Sequence, residues 1–332
     1  MPGALILCYH RVVTAPPVDP FGRGIQVTAA RFRQHMEILA RRFTIVALDD
    51  LVTRLVAGGR AEDLAAVTFD DGYVDNRANA LPVLADLGVP ATIFLVTRYV
   101  EQQRPFWTDR LDAYLRAQSG KVVTLPAGLG ARADLTSAAS AHRVYRDLHA
   151  RLRVLDDGTE RDAWMDRLGA RADMVESRPL SWDDVQDMQH RGVAFGAHTL
   201  THPSLPGISE KARRTEIEGS KTAVADHVQR PSIAFAYPFG HTDERVCAAA
   251  EAAGFRAGLT IDPGPCGAGH TPFVLPRLVV SDWTAQEFGY ALDRFGTPLQ
   301  RLRSGARALK ARIPPGVAAA VRKIAPRRRN AP

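Results

Sequence analysis

The feature that most limits what this chain can fold into is a regular alternation of short apolar runs with longer segments of helical period. The runs Ala4–Tyr9, Phe43–Leu48, Ala65–Phe69, Ala91–Val96, Val193–Ala197, Ile233–Tyr237, Arg256–Ile261 and Phe273–Val280 read as strands. Between them Ala29–Arg41, Asn76–Leu87, Trp182–Arg191, Ser209–Val228, Asp243–Ala253 and Thr284–Phe295 read as helices. Strands joined through helices run parallel, so the fold class is α/β. Ser181, Ser209 and Thr242–Asp243 sit where helices should start, and Gly88, Gly192 and Gly254 where they should stop. At 332 residues the chain has room for one large α/β barrel or two ordinary domains.

The stretch from about 99 to 179 breaks the rhythm. It is rich in Arg, Ala and Asp, with helices expected around Ala138–Leu155 and Glu160–Leu168. It reads as a helical insertion, a candidate lid over the site. The net charge of +7 is concentrated at the end of the chain. Residues 301–332 hold ten Lys/Arg and no Asp or Glu, and the remainder carries 33 basic and 36 acidic residues, a net of −3. Without base-stacking aromatics the basic tail does not point to nucleic acid. Its apolar interruptions suit peripheral contact with an anionic membrane surface, or a solvated, partly helical extension.

Met1-Pro2-Gly3 has no basic region before the apolar run and reads as the approach to a buried strand, not as a signal peptide. Three cysteines without metal spacing suit reduced thiols. Both point to a cytoplasmic protein, with the inner membrane face as the site of any peripheral contact.

Three blocks at strand ends carry chemistry. Thr68-Phe69-Asp70-Asp71-Gly72 places two adjacent carboxylates at a rim where the chain turns sharply. His198-Thr199-Leu200-Thr201-His202 holds two imidazoles within five residues, which with one carboxylate make a catalytic metal site with open positions. Phe235-Ala236-Tyr237-Pro238-Phe239-Gly240 is a strand running into an aromatic–Pro–aromatic–Gly turn. Such a turn supplies groove walls and a backbone N–H free of the sheet. Leu275-Pro276-Arg277 puts an Arg in an apolar setting that calls for a carboxylate partner, and Tyr9-His10-Arg11 closes the first strand.

In this order, the blocks resemble the polysaccharide deacetylases of carbohydrate esterase family 4, the NodB-homology domain, over roughly residues 1–295. The resemblance implies a distorted (β/α)7-8 barrel over 1–298, with the 99–179 insertion and the 299–332 tail outside it. It implies a hydrolase that removes N-acetyl groups from amino sugars of a poly- or oligosaccharide or glycoconjugate. Asp71, His198 and His202 would bind a divalent metal, Zn²⁺ first, with Co²⁺ or Ni²⁺ as alternatives. Asp70 would be the base, and Tyr237 would offer its backbone N–H to the oxyanion. Pro238 and Phe239 would shape the loop, and Leu275 would line the acetyl pocket.

Two departures stand out. Ala236 occupies the place of the usual Arg, so Arg277 would orient the base, as in the poly-N-acetylglucosamine deacetylase branch that this chain resembles more. The usual Leu-His is missing, which leaves His10 as the candidate general acid. Tyr73, Trp107, Tyr237 and Trp283 suit stacking on sugar rings. The same metal chemistry would also serve a deformylase or an O-acetyl esterase on a lipid- or nucleotide-linked sugar. A barrel that only binds glycan is the rival outside enzymes.

Overall fold

The computed structural model describes residues 3–16, 19–267 and 270–295. The basic tail discussed above lies outside them. Among the described residues no helix is long and apolar enough to cross a membrane.

Seven parallel strands form the centre: β1 (Leu5–Tyr9), β2 (Leu64–Phe69), β3 (Ala91–Leu95), β4 (Ala194–Ala197), β5 (Ala234–Ala236), β6 (Ala257–Leu259) and β7 (Leu278–Val279). β1 to β6 pair in chain order, and β7 pairs with the free side of β1. A parallel bridge between Leu259 and Leu275, just ahead of β7, joins the two ends of the sheet and completes a distorted barrel. The alternation of apolar runs therefore reads out directly as strand order.

Alternate residues separate two apolar layers, as the pleat requires. Ile6, Ala66, Phe94, Ala234, Ala236, Ala257 and Leu259 face one cluster inside the barrel. Leu5, Leu7, Val67, Phe69, Ile93, Phe195 and Phe235 face outward. There they pack under helices α1 (Ala29–Arg42), α3 (Leu81–Leu87), α8 (Trp182–His190), α9 (Glu210–His227), α10 (Glu244–Ala252) and α11 (Ala285–Phe295). Four of these seven interior side chains are alanines, which leaves space for larger ones to enter. At Gly196 even a Cβ would come within 2.6 Å of the Phe94 ring, so only Gly fits there.

The expected caps form: the Ser181, Ser209 and Asp243 side chains accept N–H bonds at their helix starts. Gly88 adopts the left-handed conformation after α3. Two strand expectations are corrected. Phe43–Leu48 yields only Thr44–Ile45, and Leu48 opens helix α2 (Leu48–Val56) instead. That helix buries Leu48, Leu51 and Val52 in the barrel interior cluster, so packing overrides the β-rich local run. Phe273–Val280 shrinks to β7, because Pro272 and Pro276 cannot donate to a ladder.

The segment between β3 and β4 is more structured than its sequence suggests. It forms α4 (Thr97–Gln102), α5 (Trp107–Ala117), an antiparallel pair Val122–Thr124 with Arg132–Asp134, α6 (Ala138–Leu152) and α7 (Gly158–Leu168). These pack around their own apolar cluster, with Phe106, Trp107, Leu111, Leu148 and Met165.

Candidate active site

The C-terminal strand ends bring the three sequence blocks to one rim. Asp70 continues the inward alternation of β2 after Ala66 and Thr68. Asp71 would point outward, but its backbone takes φ 73°, which breaks the alternation and turns its carboxylate toward the loop after β4. Its Oδ1 lies 3.6 Å from His198 Nε2 and 3.4 Å from His202 Nε2. The ligand atoms of these three side chains all lie within 4.8 Å of one another. Thr199, His202 and Phe239 also hold positive φ, at 69°, 61° and 59°. Four of the five positive-φ residues other than Gly among the described residues thus gather at this rim, each at a conformational cost of about 1–3 kcal/mol that the surroundings must offset.

The donor set fits a divalent cation. His198 Nδ1–H donates to the Ala236 carbonyl at 2.7 Å, which fixes the tautomer and aims the Nε2 lone pair at Asp71. Burial holds both imidazoles below their ordinary range, and for His202 the neighbouring His198 adds to the effect. Burial, then the adjacent charge of Asp70, pushes Asp71 well above the usual carboxylate range. Two neutral imidazoles and a carboxylate short of positive charge are the ligands that a zinc-like ion takes, and the ion would reverse the shift of Asp71.

Asp70 meets the opposite environment. Arg277, fully buried inside the barrel, donates from Nη1 to Oδ1 at 2.7 Å and from Nη2 to Oδ2 at 2.6 Å. Its Nε–H donates to the Thr260 carbonyl at 2.9 Å. Burial alone would raise Asp70, but the Arg277 charge, with His198 and the guanidinium hydrogen bonds, holds it well below the carboxylate range. The small side chain of Ala236 leaves the interior open for Arg277 to enter from the other side of the barrel. Beneath the pair, the Cys8 thiol donates to Oδ2 at 3.4 Å. His10 closes β1 with a ring nitrogen within 4.8 Å of both Cys8 Sγ and a carboxylate oxygen of Asp70. Among the described residues its Nδ1 has no partner, and burial pushes the imidazole down to about 4.

Several expectations fail. The Tyr237 N–H is not free of the sheet: it donates to the Leu259 carbonyl at 3.1 Å, and the side chain is buried with its hydroxyl on the Phe273 carbonyl. Tyr237 was expected both to end the strand and to keep its N–H free, and the pairing with β6 takes that N–H although β5 itself ends at Ala236. Leu275 lies two residues below Arg277 on a rising segment, in the interior cluster beside α2, and lines no part of the rim. Tyr73 and Trp107 are fully buried, Tyr73 with its hydroxyl on Asp109, so neither offers a face to a sugar. Trp283 is part-buried beyond β7, and Phe239 sits at the site with its ring 4.5 Å from that of His202.

Other residues at the site escaped the sequence reading. Glu216 on α9 accepts the Leu200 and Thr201 N–H groups at 2.8 and 2.9 Å. The Thr201 hydroxyl also donates to it. Arg161 on α7 donates to the Thr201 carbonyl at 2.8 Å, and the Trp107 indole N–H to that of His202 at 3.4 Å. The chain between the two imidazoles is thus clamped from both sides. A Glu and an Arg inside polar helices carry no sequence signal for such a role. Beside the rim a polar groove of about 560 Å³ is lined by Arg11, Arg23, Asp75, Asn79, Asp109 and Ser177.

Comparison with known proteins agrees with this geometry. The polysaccharide deacetylase family model matches residues 57–258. The Bacillus subtilis (strain 168) protein YxkH, assigned by name to the polysaccharide deacetylases, is 22% identical over 278 residues, 83% of this chain and 71% of its own length. The Streptococcus pyogenes deacetylase PplD, solved with acetate, superposes with a TM-score of 0.60 at 18% identity, covering 89% of this chain and 99% of its own. IcaB from Ammonifex degensii gives 0.56 at 18% identity, covering 88% and 96%. The chain belongs to the polysaccharide deacetylases, a family of hydrolytic deacetylases.

Proposed function

We propose that this protein removes N-acetyl groups from amino sugars of an oligo- or polysaccharide or glycoconjugate, with a divalent metal and with Asp70 as the base. The observation that carries the reading is the Asp71–His198–His202 triangle beside an Asp70 locked to Arg277. Asp71, His198 and His202 would hold the metal, Zn²⁺ first among the choices. A cation there supplies a Lewis acid that lowers the pKa of a water and polarises the acetamide carbonyl.

The chain's own residues do the rest. Asp70 stays ionised at every working pH. Two of its roughly four acceptor positions serve Arg277 and one serves Cys8, which leaves one for the proton of an attacking water. Arg277 is a positioning residue that holds the carboxylate in one orientation. The proton that Asp70 collects is the one the leaving amine needs. His10, neutral at rest and within 4.8 Å of Asp70, passes it on. With the Tyr237 N–H committed to the sheet, the next peptide N–H on this turn is that of Phe239, beyond Pro238. We assign it the oxyanion, a role typically worth about 3 kcal/mol. Sugar residues flanking the acetamide would lie in the polar groove beside Arg23 and Asp109.

The test is elemental analysis of the purified protein, together with acetate release from N-acetylglucosamine oligomers with and without chelator. Acetate release that chelator stops and zinc restores is expected. Bound metal with formate release, or with acetate only from O-acetylated sugars, would move the reading to a deformylase or an esterase. Absence of metal under replete conditions would overturn it.

A further inference from the structure

Beside His202 the rim carries a second group of basic side chains that the reaction above does not use. Helix α6 delivers His149, and Arg153 follows one turn later at its end. The turn after β5 delivers Phe239 and His241. The His149 ring meets Phe239 edge-on at 5.0 Å, and the Arg153 guanidinium lies 5.9 Å from the Phe239 centroid. Ser204 ties the group to the loop of the two imidazoles. Its N–H donates to the Arg153 carbonyl at 2.6 Å, and its hydroxyl pairs with His241 Nδ1 at 2.9 Å.

Among the described residues this group has no counter-charge. The fully buried arginines of this helical layer are satisfied, Arg110 by Asp162 and Asp166 and Arg161 by three carbonyls and the Thr201 hydroxyl, as is Arg23 nearby, by Asp109. Arg153 makes no ion pair among the described residues, and its Nε is buried without a partner. Burial, then the neighbouring Arg153, Arg23, His241 and Arg161, pushes the His149 imidazole down to about 3, so it stands neutral beside Arg153. Burial, then Arg153, holds His241 below the ordinary imidazole range. Part-burying an arginine among histidines with no acid nearby costs stability, and an anion would recover it. Phe239 touches both His202 and this group, so the anion would sit one aromatic ring away from the reacting acetamide.

We propose that Arg153, His149 and His241 form an anion subsite, and that the amino sugar deacetylated here carries a phosphate or a carboxylate near its acetamide. The inference rests on the deacetylase reading above and names its substrate class. A guanidinium with an unused N–H edge recognises the paired oxygens of either group.

Acetate release by the metal-loaded full chain would be measured for neutral N-acetylglucosamine oligomers, for N-acetylglucosamine 1-phosphate and for N-acetylmuramic acid. Wild type, R153Q and R153K would be compared, with kcat and KM read separately. One anionic substrate is expected to be preferred by about tenfold or more in kcat/KM, chiefly through KM, and which one it is identifies phosphate or carboxylate. R153Q should bring the preference close to parity, and R153K, which keeps the charge but not the fork, should retain part of it. Equal use of neutral and anionic substrates by wild type, or a preference that R153Q leaves intact, would overturn the subsite.

Chelator-sensitive release from neutral oligomers without any anion preference would do so while leaving the deacetylase reading in place. Release from none of the three would sink that reading instead, and calorimetric titration with inorganic phosphate then decides the subsite. Tighter binding to wild type than to R153Q supports it, and equal binding rejects it. If R153Q fails to fold, the wild-type preference and its partial loss in R153K carry the test.

Discussion

The two carboxylates of the rim and the two imidazoles beside them are held by different parts of the molecule. Asp70 is fixed from inside the barrel by Arg277, a contact between residues flanking two strands across an interior rich in alanine. The His198–His202 loop is fixed from outside. Arg161 and Trp107 reach it from the helical layer between β3 and β4, and Glu216 from α9. The barrel thus sets the protonation state of the base and, through the Ala236 carbonyl, the tautomer of His198, while the helices set the backbone shape of the loop between the imidazoles. The contrast teaches that charge and geometry at one site can be maintained by regions with separate cores, so they should fail separately.

Four experiments would break or sharpen that separation. Asp70→Asn should lower turnover by about 10²–10⁴-fold and leave bound metal at full stoichiometry. Loss of metal in this variant would show that the two halves are not independent. Arg277→Met removes the partner of a buried carboxylate, and denaturant unfolding should register a loss of about 3–5 kcal/mol. An unchanged midpoint would remove Arg277 from the account of the barrel interior.

His35 gives a pH test confined to the barrel side. It lies fully buried against Tyr9, Trp283 and Phe288, and burial pushes its imidazole down to about 4 from an ordinary 6.5. Below pH 6.5 the unfolded chain takes a proton that the folded chain refuses until about pH 4. Stability should therefore fall as pH drops through that window, by at most roughly 3 kcal/mol from this group. His35→Phe should flatten the slope, and an undiminished slope would place its origin elsewhere. Glu216→Gln should give the smallest effect, a weakening of metal affinity by about 10–100-fold with the fold intact. Metal affinity at the wild-type level would mean that the helical side holds the loop without α9.

Legibility differed along the same division. The strand-end residues Asp70, Asp71, His198, His202 and Arg277 were readable because a strand's alternation and its end place side chains by local rules. Trp107 was mistaken for a sugar platform, since the apolar cluster that buries it is built from four separate helices. The free N–H expected at Tyr237 is absent because where pairing stops depends on the neighbouring strand, here on the Leu259 carbonyl.

By itself, then, the sequence determined the parallel strands, the helix caps and the strand ends that carry the reactive side chains, because those follow from period, turn chemistry and propensity within a few residues. Tertiary structure alone decided the rest. It sets the positive φ of Asp71 and His202, the approach of Arg277 across the barrel, the Glu216 and Arg161 clamps, and the meeting of His149, Arg153 and His241. Each of these depends on residues far apart in the chain whose distance only the packed core sets.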